Sequence, residues 1–174
     1  MKPILLIALT FLTTMPAVAQ THFYFDEPFK QPAKIPNALV PLIREIAKSC
    51  RGETINQSTN IRSWFNASKI SIHPSRSAFI LTSTKSCLNG VDNDWFWIFL
   101  RTSQGYRLVL TSGTIVLDVL KSKRHGLRSI ETNVATANAN YEDVYEFDGA
   151  IYKRSRCMQS SPPSAKARRV PCRA

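Results

Sequence analysis

The chain is short of acid. Its 174 residues hold 12 Asp and Glu against 23 Lys and Arg, a formal net charge of +11. No acidic side chain occurs from Thr54 to Val91, and none from Met158 to Ala174. Such an excess favours anionic partners: nucleic acid, acidic glycan, phosphate-bearing lipid or an acidic protein. Histidine is scarce too. His22, His73 and His125 are far apart and no H-E-x-x-H is present, so the spacing of a zinc site is missing. The four cysteines form no C-x-x-C or C-x-x-H, which excludes the common thiolate metal frames. There is no G-x-S-x-G and no S-x-x-K, so no serine-nucleophile signature is offered. Beyond the N-terminus no apolar run reaches the roughly 20 residues that a membrane-spanning helix needs. No cofactor, metal or catalytic residue is expected.

What is present begins with a leader. Lys2 is followed by the apolar run Ile4 to Met15 and then by Pro16-Ala17-Val18-Ala19-Gln20. Ala17 and Ala19 have the A-x-A spacing of a secretory cleavage site, so residues 1–19 read as a signal peptide and the protein as exported, periplasmic or secreted. Residues 20–157 are long enough for one domain with a single core. Residues 158–174, with Pro162-Pro163 and no acid, read as a mobile basic C-terminal tail. Cys50, Cys87, Cys157 and Cys172 all lie after the leader. An even count in an exported chain implies two disulfides. Three pairings are open; Cys50–Cys87 with Cys157–Cys172 is favoured, because the second pair closes a short terminal loop.

The fold class expected is α+β: one N-terminal amphipathic helix packed on an antiparallel meander and hairpin sheet, disulfide-bonded. Gln20 to Ile35 reads as an extended arm. Leu39, Leu42, Ile43, Ile46, Ala47 and Cys50 then make one apolar helical stripe, with Pro41 in the first turn and Gly52 as a stop. "KISI" and "SAFILTS" are short strands around the turn "HPSRS", and Asn89-Gly90 with "VDND" is turn chemistry. "DWFWIFLR", "YRLVL" and "IVLDVL" read as a three-strand meander. In the first of these, Trp95, Trp97 and Phe99 face one side and Phe96, Ile98 and Leu100 the other. Both faces are apolar, so this strand is expected to be central and covered twice. An aromatic shelf for a ligand is the rival use of these rings. Residues 121–143 read as a loop region with one strand at "LRSIET". Asp148-Gly149 reads as a two-residue hairpin turn, pairing Phe147 with Ala150 and facing Tyr145 to Tyr152.

The order of an aromatic strand "WFWIFLR", a "GYRLVL" strand and a closing "FDGAIY" hairpin, over roughly residues 77–157, resembles a loose group of small, exported, mostly uncharacterised bacterial proteins. In that group the strand before the cysteine loop often carries acidic residues. Here it reads "SIHPSRSAFILTS", basic and polar, which gives no ground for a metal-binding role. The resemblance carries over no catalytic residue.

The basic residues are the functional lead. One set is Lys121, Lys123, Arg124, His125 and Arg128; a second is Lys153, Arg154 and Arg156, continued by Lys166, Arg168, Arg169 and Arg173. They are candidates for polyanion contact, against the plainer reading of a solubilising surface. The neighbouring acids Asp92 and Asp94, or Glu142 and Asp143, read as turn formers or solvated charge rather than a catalytic pair. The function expected is that of an exported, non-catalytic binding protein recognising a protein partner in an inhibitor- or immunity-like role. One alternative is a cationic adapter for anionic envelope components or nucleic acid; another is a hydrolase with an unrecognised site.

Overall fold

Two antiparallel sheets share the hydrophobic residues of the sequence between them, and one helix covers the outside of the smaller sheet. The computed structural model describes residues 21–24, 27–89, 94–161 and 166–172. The leader, the Gly90–Asn93 part of the turn after Asn89, Pro162-Pro163 of the tail and Arg173 lie outside them.

The six-stranded sheet has the order β1-β6-β7-β8-β9-β10, and the four-stranded sheet β2-β3-β4-β5. Their strands are β1 (His22–Tyr24), β2 (Phe65–Ile70), β3 (Ala78–Ser83), β4 (Asp94–Thr102), β5 (Gly105–Thr114), β6 (Val116–Arg124), β7 (Leu127–Ala135), β8 (Asn140–Phe147), β9 (Tyr152–Ser160) and β10 (Arg168–Val170). The helix α1 (Val40–Ala47) follows a 3-10 turn at Asn37–Leu39. This is the α+β class, with two sheets where the sequence reading had one.

The aromatic strand is central, as its pattern requires. β4 lies between β3 and β5. Phe96, Ile98 and Leu100 point into the core between the sheets, beside Ile80, Leu110, Leu117 and Ile130. Trp97 and Phe99 point the other way, into a second core with Leu39, Ile43 and Ala47 of the helix region. Both covers exist: the six-stranded sheet on one face and α1 on the other. A bulge at β4–β5 shifts the register between Ile98 and Phe99. It places Val109 and Leu110 together in the inter-sheet core, since a bulge sets two residues of one strand against one of its partner.

The helix is shorter than its apolar stripe. Leu39, Ile43, Ala47 and Cys50 are buried, with Leu42 and Ile46 half-buried beside them. After Ala47 the backbone tightens to i→i+3 bonds, Ser49 N–H to Ile46 O at 3.1 Å and Cys50 N–H to Ala47 O at 2.9 Å, as helix ends commonly do. Cys50 then bonds to Cys87 with Cα atoms 5.1 Å apart. That bridge ties the end of the helical segment to the 3-10 turn after β3. Cys157 bonds to Cys172 with Cα atoms 5.3 Å apart. The pairing favoured from the sequence is the one formed.

Four expectations are corrected. The three-strand meander breaks after β5, because the chain passes into the other sheet through Ile115. Thr114, fully buried, sets its hydroxyl 2.7 Å from Val116 O and 2.8 Å from Asn133 O; its single proton serves Val116 O while Ile115 N–H bonds Asn133 O at 3.0 Å. Residues 121–143 are mostly strand, not loop. Their polar composition misled because alternate residues of β6, β7 and β8 face solvent. His125-Gly126 closes β6 onto β7 with positive φ at both residues, 47° and 80°, the conformation of a two-residue hairpin. At Asp148 the hairpin loop is longer than two residues. Phe147 pairs with Tyr152 and Tyr145 with Arg154, because the Asp148 carboxylate accepts from Ala150 N–H and Ile151 N–H and stabilises a four-residue loop. Finally, residues 158–160 extend β9 and residues 168–170 add β10 beside it, so the described part of the tail is an edge of the sheet.

Candidate functional site

The basic residues that the sequence singles out do not make one patch. Lys121, Lys123, Arg124 and His125 are exposed at the β6–β7 hairpin. Arg124 donates to Glu146 at 2.8 Å. Lys153 pairs with Asp148 at 2.8 Å. This bond, helped by the two loop N–H donors, holds the Asp148 carboxyl well below the usual carboxylate range. Arg154 pairs with Asp143 at 3.0 Å and donates to the Tyr145 hydroxyl at 2.9 Å. The Tyr145 hydroxyl raises the Arg154 pKa further. Burial pushes the Asp143 carboxyl up against the pull of Arg154. Arg156 reaches Glu142 at 3.3 Å and Glu131 at 3.5 Å. Glu131 is raised by burial first and by Glu142 second. Arg168 and Arg169 stand exposed on β10, as does Lys166 before it. Glu142 and Asp143 are thus each held by a different arginine, and they do not form a carboxylate pair.

Arg128 is not a surface cation. It is half-buried, and its guanidinium donates to Leu120 O at 2.6 Å, Val119 O at 3.0 Å and Ser71 O at 3.3 Å. The β6–β7 register shifts between Val119 and Lys123, which takes those β6 carbonyls out of the regular ladder. Arg128 supplies the missing donors and reaches Ser71, next to the last residue of β2, in the other sheet. It belongs to the fold, and its place in the proposed polyanion cluster is withdrawn.

Two features sit elsewhere. The first is a groove of about 470 Å³ between α1 and the outer face of β4 and β5. Trp97 and Leu108 line it from the sheet, Ile46 and Ser49 from the helical segment, and Leu88 and Asn89 from the turn after β3. Trp95 stands in the same lining and is 40% exposed. Its indole lies over Gly113, where an added Cβ would meet the ring at 3.7 Å. So the aromatic run is divided: Trp97 is core at 6% exposure, and Trp95 is a wall of a groove. The groove is flanked by β5, which ends its sheet and hydrogen-bonds only to β4 among the described strands. Among the described residues no further strand pairs with its outer edge, the arrangement that strand addition uses.

The second feature is the opposite end of the smaller sheet. There the β2–β3 loop and the β4–β5 turn bring together Arg76, Arg101 and the hydroxyls of Ser75, Ser77, Thr102 and Ser103 around an open depression of about 590 Å³. Neither arginine was picked out from the sequence, because 25 positions of chain separate them. The usable signal was the acid-free stretch that contains the loop.

His22 is paired with Asp118. His73 caps its own loop: Nδ1 accepts from Ser75 N–H and Arg76 N–H, both at 3.1 Å. No group of His, Cys, Asp and Glu able to hold a metal occurs among the described residues. Nor does any described helix have the length and apolarity to cross a membrane.

No family model, curated protein or solved structure matches the chain.

Proposed function

We propose that this is an exported, non-catalytic binding protein that recognises a protein partner through the groove beside β5. The observation that carries the reading is the coincidence of three things at one place: an apolar groove, a half-exposed tryptophan and a strand edge with no partner strand among the described residues. An extended segment of the partner adds to β5 through main-chain bonds and sets an apolar side chain between Ile46 and Trp97. Strand addition of this kind derives affinity from the backbone and specificity from side-chain pockets. Trp95 is the expected hot spot, since tryptophan is enriched among the few residues that dominate such interfaces and a docked strand would cover it beside the pocket. In an inhibitor- or immunity-like role, the disulfide that locks the helical segment to the sheet keeps the groove in its binding shape before the partner arrives. Two disulfides fit an oxidising compartment such as the bacterial envelope.

The rival adapter reading is weakened by the internal ion pairs of Arg124, Lys153, Arg154 and Arg156. Those charges are already partly compensated and offer less to a polyanion.

The test is capture from the protein's own envelope with immobilised residues 20–174. A partner retained by the parent chain and by Lys121→Gln/Lys123→Gln, but lost with Trp95→Ala and with Leu108→Glu, is the expected result. Retention by the groove variants, or release by moderate salt alone, counts against the groove and returns the weight to the basic surface.

A further inference from the structure

The end of the small sheet remote from the groove has a different chemistry. Arg101 and Trp95 lie on the same strand six positions apart, which places them ~20 Å from one another. Around Arg101 and Arg76 the lining is four hydroxyl side chains and no carboxylate. Neither guanidinium has an ion pair among the described residues, whereas Arg124, Arg154 and Arg156 all do. The Arg101 guanidinium rests on the face of Tyr106, 5.7 Å from the ring centroid, so its orientation is supported. Arg101 N–H donates to Ser77 O at 2.8 Å, and this bond ties the loop that carries Arg76 to the end of β4 that carries Arg101. His73 fastens the loop from the other side through its bonds to Ser75 and Arg76.

We propose that Arg76 and Arg101, with the hydroxyls of Ser75, Ser77, Thr102 and Ser103, form a site for a tetrahedral oxyanion, a phosphate or sulfate group. Guanidinium forks match such oxygens geometrically; the Ser77 and Ser103 hydroxyls add donors, and those of Ser75 and Thr102 join by turning from His73 Nδ1 and Gly105 O, which they reach only at 3.3 and 3.4 Å. The local field agrees. His73 is held below its ordinary pKa by burial first, then by Arg76 and by Lys123 across the β6–β7 turn. A bound anion offsets the two cations and, by linkage, must raise the His73 pKa.

The site is tested with inorganic phosphate and inorganic sulfate as probes, titrated into the mature protein and followed by NMR. Saturable shifts at Ser75, Arg76, Arg101 and Ser103 are expected, with an upward move of the His73 titration midpoint at saturating anion. Arg76→Gln/Arg101→Gln should weaken binding at least tenfold, whereas Arg168→Gln/Arg169→Gln, exposed on β10 and outside this lining, should leave it within about twofold. Both pairs of side chains are exposed, and far-UV circular dichroism and melting confirm that each variant is folded. Absence of saturable shifts, equal binding by the arginine variant, or a His73 midpoint unmoved by anion overturns the proposal. The groove reading is untouched by either result, because capture by Trp95 is measured at the other end of the strand.

Discussion

Arg128 provides the sharpest check on how the irregular stretch of β6 is held. Arg128→Met keeps most of the aliphatic stem and removes the donors. Two of its bonds, to Leu120 O and Val119 O, are short enough to count fully at 2.6 and 3.0 Å; the third, to Ser71 O, is long at 3.3 Å. A hydrogen bond from a charged donor contributes about 1.5–3 kcal/mol net. Arg128 is half-buried and keeps some access to water, so the lower figure applies to each of the two. The loss is then about 3 kcal/mol, before any penalty for carbonyls left unsatisfied inside the irregular stretch. For a domain of this length each kcal/mol moves the melting point by about 2–4 °C, giving a fall of roughly 6–12 °C. Lys121→Met, on the exposed side of the same hairpin, should change stability by less than about 0.5 kcal/mol. Arg128→Lys should recover only part of the loss, because one ammonium cannot serve three carbonyls in the plane of a fork. Thermal melts and urea titrations of the three variants decide the matter. If Arg128→Met melts within about 2 °C of Lys121→Met, the guanidinium does not hold the displaced β6 carbonyls and the reasoning fails.

Three more expectations can be measured on the same protein. Trp97→Ala should destabilise by about 3–5 kcal/mol as a core truncation, while Trp95→Ala should cost much less; iodide should quench a Trp95-dependent part of the fluorescence and leave Trp97 and Trp64 largely protected. Mass spectrometry without reduction should show both bridges, and replacing each pair by serine should cost about 4 kcal/mol for Cys50–Cys87 and about 3 kcal/mol for Cys157–Cys172, from the 37- and 15-residue separations that they close; equal losses of under about 1 kcal/mol would contradict this. Burial raises the Asp94 carboxyl to about 6, so the folded chain holds that proton more tightly than the unfolded one, and the stabilisation is full below the ordinary carboxylate range and lost as pH rises through 6. Asp94→Asn should therefore gain on the parent chain between pH 4 and 7, by up to about 3 kcal/mol, and a stability difference independent of pH would refute it.

The strands with simple periodicity were legible from the residues, and those shaped by irregular contacts were not. The alternation in β4 told both faces and both covers, because a strand apolar on each side has no other stable position. The helix stripe told which side of α1 is buried. The second sheet escaped notice because β6, β7 and β8 carry Lys, Arg, Glu and Asp on the outer face, which reads as loop when hydrophobicity alone is scanned. The hairpin at Asp148 was misread by two residues in register, since dipeptide turn preferences do not include the side-chain bond from Asp148 to its own loop. Arg128 was assigned to the surface for a similar reason: its neighbours in sequence are exposed cations, and only the displaced β6 carbonyls show what it does.

Charge is where sequence and structure part most clearly. A count of cations says that there is an excess; it does not say where the excess is displayed. Five of the twelve acids, Glu131, Glu142, Asp143, Glu146 and Asp148, lie on β7, β8 and the loop after it, and they meet Arg124, Lys153, Arg154 and Arg156, the residues whose clustering in sequence had seemed most functional. The β2–β3 loop comes from the stretch without acid, and its neighbour Ser103 belongs to a turn that has none either. Antiparallel pairing brings these two turns to the same end of the sheet, because β2–β3 and β4–β5 reverse direction there. Two arginines that are remote in sequence thus meet with no carboxylate between them, while arginines close in sequence are neutralised by the strand beside them. For this protein the absence of acid from a segment is a better guide to a cationic site than the density of lysine and arginine.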